Sequence, residues 1–242
     1  ASLRNSETGT GGGGKIPKSQ AGPRQQFNRK AYIVTLSYHI VTGDYHMLSL
    51  TDKEREALLR LFKDFTAYYN ANSISRPLGI SRVGALMLFR RLEANGLVAS
   101  QKIGKSIVYK LKLEDDYVKK LVSFLLADEA NKFKRWKEEF KGLFKKGRIV
   151  MIFGSVLRNY DKANDIDLLV AAGRAGKEDI DKLLESKAEI LPKRLHTIRL
   201  SASELESNIR GKKAAILDIV RTGIVLHGQD EYVEVLKNVT GS

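Results

Sequence analysis

Two apolar runs, Ile149 to Phe153 and Asp165 to Val170, lie close together in the stretch RIVMIFGSVLRNYDKANDIDLLV (148–170). Each is long enough for a buried strand and too short for a helix. The first stops abruptly at Gly154-Ser155. A short helix-compatible piece, Val156 to Tyr160, and a polar turn, Asp161 to Asn164, lead into the second. In a strand, side chains i and i+2 share a face. Asp165 and Asp167 therefore point the same way, while Ile166 points into the core. Two carboxylates on one face beside a Gly-Ser turn suit a divalent cation held against triphosphate oxygens. Ser155 and the backbone N–H groups that follow it are placed to face those phosphates. A purely structural strand–turn–strand explains less well why two acids interrupt the start of so apolar a strand.

The pattern resembles the signature of the DNA polymerase β-like nucleotidyltransferase superfamily, in its small, minimal form: apolar strand, Phe153-Gly154-Ser155, nine residues, then Asp165-Ile166-Asp167-Leu168-Leu169-Val170. The resemblance implies a mixed sheet in which 148–153, 165–170 and 195–200 are neighbours. It further implies an NTP substrate, Mg²⁺ or Mn²⁺ as cofactor, Asp165 and Asp167 as metal-holding catalytic residues, and Gly154, Ser155 and Arg158 at the nucleotide. Active members carry a third carboxylate on a later strand. The matching run, Arg194 to Leu200, has no acid and offers only His196.

Charge divides the chain. Of its net +14, residues 47–113 hold 12 Lys+Arg against 5 acids, whereas residues 147–242 hold 15 against 14. A basic first half and a near-neutral second half point to a polyanionic partner for the first, with solubility as the bland alternative. Residues 1–46 read as a flexible basic extension, with Gly11 to Gly14 in a row and few apolar side chains beyond a strand-like run, Ala31 to Val41, that Tyr45 to Leu50 could pair with. Cysteine is absent, which excludes disulfides and cysteine zinc sites. No apolar run approaches a bilayer span, and the N-terminus lacks a signal-like core, so no membrane partner and a cytoplasmic location are expected.

From Thr51 the residues organise. Thr51-Asp52-Lys53-Glu54 is a capping box opening a helix over about 52–68. A shorter segment, Ser73 to Leu78, and a helix over about 81–95 follow, with Ala85, Phe89 and Leu92 at core spacing and a stop at Asn95-Gly96. Leu97 to Ser100 and Ile107 to Leu111 flank a turn at Ile103-Gly104-Lys105. The run of three helices and a basic hairpin over about 50–113 resembles a winged helix-turn-helix domain. That resemblance implies duplex DNA or another nucleic acid as partner, with Ser81, Arg82, Arg90 and Arg91 on the third helix and Lys102 and Lys105 on the wing as contacts. A protein-binding winged helix is the alternative.

Residues 114–146 read as an amphipathic helical connector broken near Asn131-Lys132, its Tyr117, Leu121, Phe124, Leu125, Phe133, Trp136, Phe140 and Phe144 packing one domain on the other. Beyond the strand pair, helices are expected over 177–186, 201–209 and 212–220, with a Ser201/Glu204 capping box and Gly223 as a C-cap. A last strand, 224–226, and a terminal turn, 232–236, end the pattern. The expected fold class is α+β: extension 1–46, winged helix-turn-helix 47–113, connector 114–146 and nucleotidyltransferase-like domain 147–242.

Two functions are compatible with this. One is a nucleic-acid-binding protein whose second domain moves a nucleoside monophosphate from an NTP to a protein or nucleic-acid hydroxyl. The other is a catalytically degenerate DNA-binding regulator, antitoxin-like or transcriptional, that at most binds nucleotide and has a protein partner.

Overall fold

Thr51 caps the first helix of the structure, a computed structural model that describes residues 48–173 and 176–241. Helix α1 (Asp52–Lys63) begins with the expected capping box: the Thr51 hydroxyl accepts from Glu54 N, and the Glu54 carboxylate accepts from Thr51 N. It ends at Lys63 rather than 68. Asp64 leaves helical geometry to accept from the Tyr69 hydroxyl and Arg221 Nε, both at 2.8 Å. Helix α2 (Ala71–Leu78) starts earlier than expected, because the Asn70 side chain accepts from both Asn72 N and Ser73 N. Helix α3 (Arg82–Ala94) is followed by a hairpin, β1 (Val98–Ile103) and β2 (Ser106–Leu111), paired antiparallel with Gly104-Lys105 as its two-residue turn. Phe89 of α3 stacks on Tyr109 of β2 at 4.0 Å between ring centroids, which locks the hairpin to the helix. Three helices and a β-hairpin packed in this order make a winged helix-turn-helix.

Helices α4 (Asp116–Asn131) and α5 (Lys134–Phe140) form the connector, broken where expected. Its aromatic stripe is only partly core. Val118, Val122, Leu125 and Leu126 turn inward, whereas Tyr117 is 54% and Phe124 63% exposed. Leu125 of the expected stripe is buried, but Val118, Val122 and Leu126 fill the interior beside it and the rings of Tyr117 and Phe124 are left outside.

The remaining strands form a mixed sheet in the order β5-β4-β3-β6. Strands β3 (Ile149–Phe153) and β4 (Asp165–Ala171) are antiparallel, β5 (Arg194–Leu200) runs parallel to β4, and β6 (Ile224–His227) runs antiparallel to β3. Helix α6 (Lys177–Ile190) joins β4 to β5, and α7 (Ala202–Arg210) and α8 (Ala214–Thr222) join β5 to β6. The expected terminal turn is instead helix α9 (Gln229–Thr240), which buries Tyr232, Val233, Val235 and Leu236. Gly223 does not adopt the left-handed C-cap conformation. Glycine is needed there for space, since a Cβ would lie 2.6 Å from the Ile219 carbonyl oxygen and 3.1 Å from Met151 Cε.

Each sheet face is covered. Val150, Ile152, Ile166, Leu168 and Val170 pack with Trp136, Phe140, Ile180 and Leu184. Met151, Leu169, Ala171 and Val225 share the opposite core with α7 to α9 and with Leu58 and Phe62 of α1. From Leu48 onward the chain is one unit, so the winged helix and the sheet share apolar interior. Lys63 fastens them: its ammonium donates to Glu129 of α4 at 2.6 Å and to the Gly223 carbonyl at 2.9 Å. The Phe62 ring meets Tyr232 of α9 edge-on at 5.8 Å.

The expected strand Ala31 to Val41 and the extension 1–46 lie outside the described residues. Of the segment Tyr45 to Leu50, only Leu48 to Leu50 are described, and they form no strand.

Candidate functional sites

Two surfaces gather the residues with chemistry to offer. The first is at the end of the sheet. Strand register puts Phe153 opposite Asp167, and Asp167 opposite His196. Because Ile166 and Leu168 are fully buried in one core, Asp165 and Asp167 share the other face, both partly accessible. Gly154 follows β3 with φ 83° and ψ −158°, a combination that only glycine adopts readily. A Cβ at Gly154 would overlap the Asp167 carboxylate. Both properties of glycine are therefore used at one atom: the backbone takes a forbidden path, and the carboxylate lies where a side chain would be.

Asp167 Oδ1 lies 3.2 Å from His196 Nδ1, and the imidazole is well exposed. His196 thus stands beside Asp167 on the strand where the superfamily resemblance leads one to look for an acid. Among the described residues the Asp165 carboxylate has no hydrogen-bond or ion-pair partner, and its register neighbour across β4–β5 is Arg194. Ser155 begins a single 3₁₀ turn (Ser155–Leu157) rather than an α-helix, and Arg158 caps that turn in an exposed position. Among the described residues no group of three or more His, Asp or Glu side chains is gathered as metal ligands. Asp165 and Asp167 could offer oxygen ligands to one hard cation, fewer than the six oxygens that Mg²⁺ favours.

The loop that separates the two carboxylates from Ser155 is pinned by residues that carried no sequence signal. Lys193 Nζ donates to the Ala163 carbonyl at 2.6 Å. Its ammonium also sits 4.8 Å from the centroid of Tyr160, and the Arg135 guanidinium lies 4.0 Å from the same ring. Such cation–π contacts reach across elements, so only the fold brings them together.

The second surface is on the winged helix. Gly79 takes a left-handed conformation at the end of α2, and Ser81 caps α3, its hydroxyl accepting from Gly84 N at 3.0 Å. Arg82 and Arg90 on α3, and Lys102 and Lys105 on the wing, are exposed and make no hydrogen bond or ion pair among the described residues. Arg76 on α2 is exposed as well. Arg91 is placed differently. Its Nη2 donates to the Ser49 carbonyl at 2.6 Å, and its Nε lies 3.2 Å from the carboxylate of Glu54, which is buried. The six expected contacts therefore divide into four uncommitted cations, one cap and one guanidinium that ties α3 to the start of α1.

No helix among the described residues is long and apolar enough to cross a membrane. No protein-family model matches the chain, and no curated protein matches its sequence. Similar solved structures include the adhesin competence repressor AdcR of Streptococcus pyogenes, 13% identical, with a TM-score of 0.33 over 68% of this chain and 96% of that one. Another is the zinc-responsive MarR family member ZitR of Lactococcus lactis, 14% identical, with a TM-score of 0.30 over 47% and 84%. Wild-type ZitR solved in complex with DNA is 12% identical, with a TM-score of 0.30 over 48% and 86%. Scores this low carry neither fold nor function from those chains to this one.

Proposed function

We propose that the chain is a duplex-DNA-binding regulator whose C-terminal half is a nucleotidyltransferase-like module that at most binds nucleotide. The observation that carries this reading is the set of four exposed, unpaired cations, Arg82 and Arg90 on α3 and Lys102 and Lys105 on the wing. In this arrangement α3 enters the major groove, Arg82 at its first turn reaches a base edge, and the wing lysines lie on the phosphate backbone. Each phosphate neutralised adds about −0.9 to the slope of log affinity against log salt.

The test is a salt titration of duplex binding by fluorescence anisotropy. Changing Lys102 and Lys105 together to Ala lowers affinity for all duplexes alike and makes the slope shallower by about 1.8, two phosphates' worth. If the double variant binds as wild type does, the winged helix is a protein-interaction module.

A second reading rests on Asp165 and Asp167 sharing a face beside Gly154. Mg²⁺ or Mn²⁺ held by these two carboxylates would neutralise charge on a bound NTP, with Ser155 and Arg158 toward its phosphates, and a nucleoside monophosphate would pass to a hydroxyl as pyrophosphate leaves. His196 in place of a third acid favours the non-catalytic form. Incubation with labelled NTP, Mg²⁺ and a cell lysate decides between them. Labelling that Asp165→Asn together with Asp167→Asn abolishes would replace the regulatory reading for this half of the chain.

A further inference from the structure

The outward face of α3 is not uniformly basic. Val83 and Met87 are 64% and 65% exposed, the largest apolar exposures on that helix. Spaced four residues apart, and with Arg90 three residues further, they lie along one stripe. An apolar side chain cannot satisfy a base-edge donor or acceptor. The only apolar feature that unmodified B-DNA presents in its major groove is the C5-methyl of thymine. We infer that Val83 and Met87 read thymine methyl groups, making α3 selective for A·T pairs at the positions between those reached by Arg82 and Arg90. This rests on the major-groove placement of α3 proposed above.

Charge argues for DNA over a protein as the occupant of this stripe. Two apolar side chains are flanked on the same helix by Arg82 and Arg90, both free of partners among the described residues, and Arg76, Lys102 and Lys105 of the same winged helix are exposed too. A polyanion with apolar points in its groove complements that pattern, and a purely apolar partner would bury cations without counter-charges. Methionine adds tolerance, because its unbranched, polarisable side chain adapts to where a methyl falls.

Replacing thymine by uracil removes the methyl and leaves every hydrogen-bonding edge, and the whole minor groove, unchanged. The experiment compares fluorescently labelled alternating d(AT) and alternating d(AU) duplexes of equal length at one low salt concentration. Wild type should bind d(AT) more tightly by about fourfold for each methyl buried, the ratio expected for one buried CH₂-sized group. Val83→Ala and Met87→Ala should each shrink that ratio toward one with the salt slope unchanged. Equal wild-type affinity for the two duplexes overturns the inference alone and leaves DNA binding standing. Absence of binding to either overturns the groove placement and the inference with it.

Discussion

The Asp167 carboxylate occupies the space in which a side chain at residue 154 would begin. Gly154 holds a backbone conformation with φ 83° that other residues rarely adopt, and Asp167 lies across the strand pair on the facing end of β4. The glycine of the Gly-Ser pair therefore serves the acid rather than only the turn.

Gly154→Ala should cost about 1–3 kcal/mol of stability, from both the strained φ and the overlap with the carboxylate. Asp167→Ala in the same chain removes the overlap but not the strain, so the double variant should recover part of the loss. Denaturant unfolding of the four proteins measures the coupling. Additive costs within about 0.5 kcal/mol would mean the two residues do not compete for that space.

Adjacent arginines on α3 should behave differently. Arg91→Ala removes the ion-pair partner of the buried Glu54 carboxylate and the donor to the Ser49 carbonyl, and should lower stability by about 1–2 kcal/mol with the salt slope of DNA binding unchanged. Arg90→Ala should leave the melting temperature alone and make that slope shallower by about 0.9. Thermal melts and salt titrations of both variants give the answer, and a reversed pattern would overturn the division of labour.

Tyr232 sets an alkaline limit. It is fully buried, its hydroxyl has no hydrogen-bond partner among the described residues, and burial, helped by the Glu129 carboxylate, pushes its phenol far above the ordinary range. Folded, the phenol keeps its proton; unfolded, it loses it near pH 10. The unfolded state then binds fewer protons, so stability is fully present below about pH 10 and falls as pH rises beyond it. Tyr232→Phe should be at least as stable at neutral pH, by up to about 1 kcal/mol, because it removes a buried hydroxyl without a partner. It should also lose less stability between pH 9 and 11. Some loss remains, since Tyr69 and Tyr109 are shifted upward by burial as well. Melting curves across that range that coincide for wild type and variant would count against this assignment.

Local chemistry was legible without coordinates. The Thr51/Glu54 and Ser201/Glu204 capping boxes form as spelled, because the donor and acceptor lie three residues apart on one turn. The alternation of Asp165, Ile166 and Asp167 foretold which side chains share a face, because strand periodicity is a property of the backbone alone. What the sequence could not decide were matters of distance along the chain. Whether Arg91 meets DNA or Glu54, 37 residues earlier, depends on how α3 lies against α1. Which side chains of α4 fill the core was only partly legible: Leu125 is buried as its spacing predicts, but Val118 and Val122 take the interior in place of Tyr117 and Phe124, a choice made by the shape of the neighbouring core. His196 came to Asp167 through the parallel pairing of β4 with β5, a register that loop closure and burial of both sheet faces select together. Periodicity and capping are short-range and written in neighbouring residues, whereas partner choice is made by the packing of surfaces that the chain brings together only once it has folded.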